Sequence, residues 1–443
     1  MPPTVALILS LIAIFWLLRQ DARDGVNLKQ GLWIPFVWLV ILGSRPLSYW
    51  LGVQGSADGL VEGNAFDRIL YSALGLSALV IVHRRHVNWG NIARDNAWIV
   101  IIYAYLLATC LWSDYPFVTF KRWFKEILAI PVILVILSHH DPRRAVMSLF
   151  TKCAAIWFVL SVLFIKYMPE FGRIYSSSGG MQITGVTSQK NTLGQIVLTA
   201  SLIIVWRLLD AREASAHRLR ESKPNQLMLW LVLLLGIWLL FLCDSKTSLI
   251  GLLFGLFVLT GHKFPVLGTR PRMFLFVCLA TFPLGYALDQ LTGFSEQILD
   301  FLGRNRSLTG RTDIWEAAFH HPVNPLIGGG YLMYWDVVGE VMIKGDAVSL
   351  KTAHNGYLDM YLDGGFVMIG LFSLMAIQAL NRLGGSFLRG DGWARIGLAI
   401  FLVLILVNVS ESVFFRRSPL WFAFLLFCVD YRRAFARGGN PQR

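Results

Sequence analysis

The sequence predicts an all-α polytopic membrane protein, and three observations carry that expectation. Hydrophobic residues make up 55% and charged residues 15% of the 443 positions, and the mean hydropathy is +0.56, outside the range of a soluble domain of this size. The apolar residues come in runs that recur along the whole chain, and the basic residues gather in alternate connections between those runs. Backbone polar groups in hydrocarbon have no water to pair with, so spans rich in Leu, Ile, Val and Phe must be helices.

Apolar runs near 4 to 18, 31 to 43, 66 to 82, 97 to 111, 127 to 138, 146 to 168, 191 to 206, 227 to 243, 247 to 260, 273 to 291, 356 to 380, 396 to 410 and 418 to 430 predict about 12 or 13 transmembrane helices in one integral domain over residues 1–443. The first run has no basic region ahead of it. It is followed by Arg19, Gln20 and Asp21 instead of a small-residue cleavage site, so it reads as a helix and not a signal peptide. Cys110, Cys153, Cys243, Cys278 and Cys428 lie in or beside apolar runs without CxxC spacing and read as small buried hydrophobes.

A net charge of +13 does not point to nucleic acid in such a chain, because basic residues mark cytoplasmic loops. The connections 19 to 30, 83 to 96, 139 to 145, 207 to 226, 261 to 272, 381 to 395 and 431 to 443 hold 23 Lys and Arg. The other set, 44 to 65, 113 to 126, 169 to 190, 292 to 355 and 411 to 417, holds 13 in more residues. The first set is therefore expected in the cytoplasm, with the amino terminus outside, the carboxyl terminus inside and 207 to 226 a solvated loop. Residues 292–355 become a large extracytoplasmic loop, longer than a connection needs to be. Within it, Thr309 through Phe319 predicts a short amphipathic helix on the membrane face. Asp313 and Glu316 suit its start, Ile314, Trp315, Ala318 and Phe319 form its apolar stripe, and Pro322, Pro325 and Gly328 to Gly330 end it.

Four polar insertions fall on the expected outer side: Ser188-Gln189-Lys190-Asn191, Asp244-Ser245-Lys246-Thr247, Thr309-Gly310-Arg311 and His354-Asn355-Gly356. Lys190 either snorkels to headgroups or, with the free N–H groups of a helix start, makes an anion site. Asp244 and Lys246 interrupt a long apolar stretch, where charges are costly unless paired or functional. Arg311 follows a glycine and carries a guanidinium suited to bidentate phosphate contacts. Arg122 either contacts headgroups or joins these cations. An imidazole can accept a proton near neutral pH, which makes His354 the candidate base unless it merely caps its loop. Several cations and one base suggest binding of a phosphorylated lipid and deprotonation of a hydroxyl. The acidic residues are scattered, so neither a metal nor another cofactor is called for.

At these residues the chain resembles the O-antigen ligase and polymerase superfamily, including exopolysaccharide polymerases of the succinoglycan type. Ser188-Gln189-Lys190-Asn191-Thr192-Leu193-Gly194 is similar to its His/Gln-Lys-Asn-x-Leu-Gly segment and Ser245-Lys246-Thr247 to its Ser-Arg/Lys-Thr/Gly segment. Thr309-Gly310-Arg311-Thr312-Asp313-Ile314-Trp315 resembles Thr-Gly-Arg-x-x-Ile/Leu-Trp, and His354-Asn355-Gly356-Tyr357-Leu358 resembles His-Asn-x-Tyr/Phe-Leu. The resemblance implies a GT-C-like glycosyltransferase of the bacterial inner membrane, polymerising undecaprenyl-diphosphate-linked oligosaccharides at the periplasmic face. It implies that Lys190, Lys246 and Arg311, with Arg122 as a further candidate, hold the donor diphosphate. His354 and Arg311 would be catalytic, and Gln189, Asn191, Asp244 and Asn355 supporting. The implied partners are the lipid-linked donor, a glycan acceptor, membrane lipids, a flippase and a chain-length co-polymerase. Family ligases often carry arginine where this chain has Lys190 and Lys246. A ligase moving glycan onto lipid A core would share all these residues, while a transporter or flippase would place charges near the midplane and show inverted repeats.

Overall fold

The computed structural model describes the chain except residues 25–27, 29–30, 54–63, 176–179, 217–224, 264–269, 271, 279, 281–310, 344–345 and 436–443. Among the described residues, five helices are long and apolar enough to cross a membrane: Pro3–Ala22, Ala65–Arg84, Pro142–Tyr167, Lys190–Ala211 and Gly356–Leu388. Six shorter apolar helices accompany them: Trp33–Leu42, Ala97–Leu111, Gln226–Leu242, Lys246–Thr260, Gly392–Val407 and Pro419–Cys428. The chain is an all-α, multi-pass membrane protein, as its hydropathy predicts. The 127 to 138 run forms only the nine-residue helix Ala129–Leu137, and much of the 273 to 291 run lies outside the described residues. Among the described residues, two antiparallel hairpins, Arg173–Tyr175 with Met181–Ile183 and Glu340–Ile343 with Asp346–Ser349, sit in connections for which the apolar pattern predicts no strand. Strands of three and four residues are too short to give a periodic signal.

The described chain divides into two compact units. The first comprises Met1–Ala97, Lys125–Gly255 and Arg417–Arg443. Its centre is the helix Pro142–Tyr167, started by Asp141, whose side chain accepts from Arg144 N at 3.0 Å with Pro142 in the first turn. Against it pack Pro3–Asp24, Trp33–Leu42, Lys190–Ala216 and Gln226–Leu242. Three of these helices are pinned by a buried charge cluster: Lys152 Nζ and Arg207 Nη1 each pair with a different oxygen of Asp21, and Ser148 Oγ donates to Asp21 at 2.5 Å. Arg207 thus belongs to the core. The expected loop at 207 to 226 is helical as far as Ala216, because a positive charge with a buried partner has no need of solvent.

The second unit comprises Trp98–Phe124 and Leu256–Arg416. Its long helix Gly356–Leu388 is broken at Gly365, which adopts φ 62° and ψ −164°, a conformation open to glycine and costly for other residues. The freed backbone is satisfied by residues 325 to 330. Gly329 N donates to Leu362 O at 2.9 Å, Gly330 N to Asp363 O at 3.0 Å, Phe366 N to Pro325 O at 2.8 Å and Val367 N to Leu326 O at 3.1 Å. Tyr105 Oη donates to Gly364 O at 2.7 Å and Trp112 Nε1 to Ile327 O at 3.1 Å. The Pro- and Gly-rich segment thus docks onto a helix break and re-pairs it.

Connections assigned to one side by charge do touch. In the first unit Arg45 N donates to Val186 O at 3.0 Å, joining 44 to 65 with 169 to 190. Arg433 pairs with Asp95 at 3.6 Å and Arg143 with Asp210, each within the basic set. In the second unit Arg122 meets Asp336 at 2.6 Å and His354 meets Glu411 at 3.8 Å, both within the other set.

Candidate active site

Lys190 and Lys246 are each the first residue of a helix, Lys190–Ala216 and Lys246–Thr260. The two starts are brought together in the first unit. A side chain at Gly194 would lie 2.6 Å from both Ser245 Cβ and Ser248 Oγ, so only glycine permits this approach. Lys246 Nζ pairs with Asp244 at 2.8 Å, but the two side chains are 59% and 44% exposed, a setting in which an ion pair contributes little and exchanges readily with a competing anion. Asp244 itself has φ 48°. Gln189 is exposed and Asn191 half-buried beside Lys190. Two lysines therefore open two helices whose first N–H groups have no intrahelical acceptor.

His354 is organised differently. It has φ 51°, and its side chain is 32% exposed with Nδ1 3.8 Å from Oε2 of Glu411, which is 7% exposed. The following Asn355 caps the helix Gly356–Leu388, accepting from Tyr357 N at 3.0 Å and Leu358 N at 3.1 Å. Gly356 N donates to the carbonyls of Asn408 and Glu411 at 2.8 and 2.9 Å. A Cβ there would lie 2.0 Å from Asn408 Oδ1, which is why the motif continues with glycine. The preceding residue is fixed as tightly: Ala353 N donates to Asp359 Oδ1 at 3.0 Å and Trp315 Nε1 donates to Ala353 O at 2.9 Å. Buried Asp359 also accepts from Trp335 Nε1 at 2.9 Å and faces Arg416 at 3.4 Å. The imidazole thus projects from a backbone held on both sides, with the Glu411 carboxylate 3.8 Å from Nδ1.

Arg311 opens the helix Arg311–His320, while Thr309 and Gly310 of its motif lie outside the described residues. The helix packs beside the histidine segment. Ile314 and Ala318 join a core with Trp335, Ala353 and Leu362, and Trp315 lies against it. The stripe therefore faces the protein's own core, and Phe319, at 73% exposure, is left out of it. Tyr334 Oη reaches the carbonyls of Ala318 and His321, both at 3.0 Å. Burial pushes this hydroxyl up to about 12, so it remains a donor. Arg122 is held by Asp336 and by the carbonyl of Leu332, and Lys351 Nζ shares Asp336 at 2.6 Å; this arginine braces the loop that carries Trp335. Glu411, Asp359 and Asp336 were missed in the sequence reading, since nothing local marks a carboxylate that meets its partner only after folding.

Comparison with known proteins bears on the same residues. Residues 231–375 match the O-Antigen ligase family, a segment that contains Asp244, Lys246, Arg311, His354 and Asn355 and leaves Arg122 and Lys190 outside. The exopolysaccharide production protein ExoQ of Rhizobium meliloti (strain 1021) is 24% identical over 331 residues, which cover 70% of each chain. The chain is thus similar over residues 231–375 to the O-antigen ligase family and, over 70% of its length, to an exopolysaccharide production protein.

Proposed function

We propose that this protein is an inner-membrane glycosyltransferase that polymerises undecaprenyl-diphosphate-linked oligosaccharide repeat units at the periplasmic face. The observation that carries this reading is the setting of His354: a half-exposed imidazole on a doubly fixed backbone, with Glu411 behind Nδ1. Lys190, Lys246 and Arg311 take the donor diphosphate, two of them as mobile ammonium groups at helix starts. The acceptor hydroxyl oxygen bonds to the donor anomeric carbon as the bond from that carbon to the diphosphate breaks. The electron pair leaves with the polyprenyl diphosphate, and the hydroxyl proton passes to Nε2 of His354. Glu411 stabilises the imidazolium that forms, and direct displacement inverts the anomeric centre. A periplasmic reaction has no nucleotide sugar to draw on, which is why an activated lipid is the donor in this scheme. A flippase would deliver that donor and a co-polymerase would set product length.

The decisive experiment supplies purified protein in lipid with a synthetic lipid-linked repeat. A ladder of products longer than one repeat is expected. Transfer to lipid A core with no ladder would establish a ligase instead. Transport of the lipid-linked unit that survives His354→Ala, with no glycosidic bond formed, would establish a flippase.

A further inference from the structure

Arg45 is a buried arginine outside the residues assigned above, and it forms part of a cavity. It follows the helix Trp33–Leu42 and is 5% exposed. Its guanidinium is fixed: Nε donates to Thr187 O at 2.9 Å, Nη2 to Thr184 Oγ1 at 3.3 Å and Nη1 to Tyr49 Oη. The adjoining turn is fixed as well, because Ser48 N and Oγ both donate to Asp67, the former at 3.1 Å. The resulting cavity of about 260 Å³ is lined by Arg45, Pro46, Tyr49, Glu170, Ile174 and Ser188. Its volume lies just below the roughly 300–1,000 Å³ of pockets for drug-sized ligands, which suits a single ring. Ser188 stands two residues before Lys190, a span of at most about 7 Å along the chain.

We infer that this cavity holds one pyranose ring, the sugar attached to the diphosphate of the lipid-linked donor. The inference rests on the function proposed above. A pyranose presents an apolar C–H face and a rim of hydroxyls that both donate and accept. Tyr49, Pro46 and Ile174 supply apolar surface, and Tyr49 remains 47% exposed and Ile174 40% exposed with nothing to cover them among the described residues. Glu170 supplies an acceptor, while Arg45 and Ser188 supply donors. A free phosphate or lipid headgroup fits this lining less well, because Glu170 opposes a second negative charge beside the guanidinium. The place along the chain selects which sugar: a ring bound next to Ser188 leaves its anomeric oxygen directed to the lysine that follows. The cavity would thereby read the identity of the first sugar of each repeat.

The test measures binding to the full-length protein in lipid nanodiscs of two probes, a polyprenyl diphosphate bearing one sugar and the same lipid without it. Tyr49→Ala and Glu170→Gln are each expected to weaken the sugar-bearing probe about tenfold and leave the sugar-free probe unchanged. A probe lacking one sugar hydroxyl should bind wild type about tenfold more weakly and lose little further affinity in Glu170→Gln if that hydroxyl faces the carboxylate. Equal affinity of wild type and both variants for the sugar-bearing probe would overturn the inference, as would a parallel loss for both probes, which would mark a lipid or phosphate site. Tyr49→Phe, which keeps the ring, serves against misfolding and should bind within a few-fold of wild type. Absence of a polymer ladder from wild type, with the binding difference intact, would instead overturn the proposed polymerase while leaving the sugar site standing.

Discussion

Lys190 and Lys246 stand on the first residues of two helices, and Lys246 is 59% exposed with a partner, Asp244, that is itself 44% exposed. His354 stands two residues ahead of a helix and is backed by Glu411, with buried Asp359 gripping the residue before it. The first unit offers charge on long flexible stems; the second fixes one ring. That contrast fits the two tasks proposed for these residues. A diphosphate is large, multiply charged and tolerant of small shifts in its cations, whereas proton transfer requires a nitrogen within hydrogen-bond reach of one hydroxyl. Rigidity is concentrated where distance matters most.

The comparison can be broken by substitution. His354→Ala should lower the rate of chain extension by about 10² to 10⁴ while leaving donor binding intact, measured by product ladders and by lipid-diphosphate binding on the same preparation. Asp359→Ala comes next. It leaves Trp335 Nε1 and Ala353 N without an acceptor and Arg416 without its carboxylate, a loss on the order of 3 kcal/mol in local stability, and hydrogen exchange at residues 351 to 355 should quicken. If exchange there stays slow, the histidine segment is held by something other than Asp359. Glu411→Gln should lower kcat by about 10 to 10² and leave KM for the donor unchanged, the mark of a group that acts on the imidazolium and not on binding. Lys246→Ala should raise donor KM by about tenfold, while Lys246→Arg keeps most affinity. The smallest change is expected from Asp244→Asn, which frees Lys246 and should tighten donor binding by no more than a few-fold. A kcat effect from Lys246 or a KM effect from Glu411 would erase the division of labour.

Much of this was legible in order along the chain. The His354-Asn355-Gly356 motif is local: Asn355 caps a helix and Gly356 meets Asn408 and Glu411 without a side chain. The helix from Arg311 was likewise readable from its spacing of Ile314, Trp315 and Ala318, although its stripe faces the protein and not lipid. What failed to show depends on distant pairing. Arg207 reads as a loop cation until Asp21 is placed beside it. Arg122 is a sequence candidate for headgroups or diphosphate, and its pairing with Asp336 and the Leu332 carbonyl shows only once distant segments are placed together. A hydropathy window passes over Gly365, because one residue's dihedral angles leave no trace in an average.

The break at Gly365 bears on how the protein is made. A helix interrupted in this way has backbone groups that residues 325 to 330 and Tyr105 satisfy, and each such group left unpaired in hydrocarbon costs several kcal/mol. Its first turns and its apolar remainder therefore cannot settle into the bilayer as one rod ahead of the loop; the loop and the break arrive together. The histidine stands two residues ahead of those first turns. Its final position thus depends on the docking of residues 325 to 330, which closes the break.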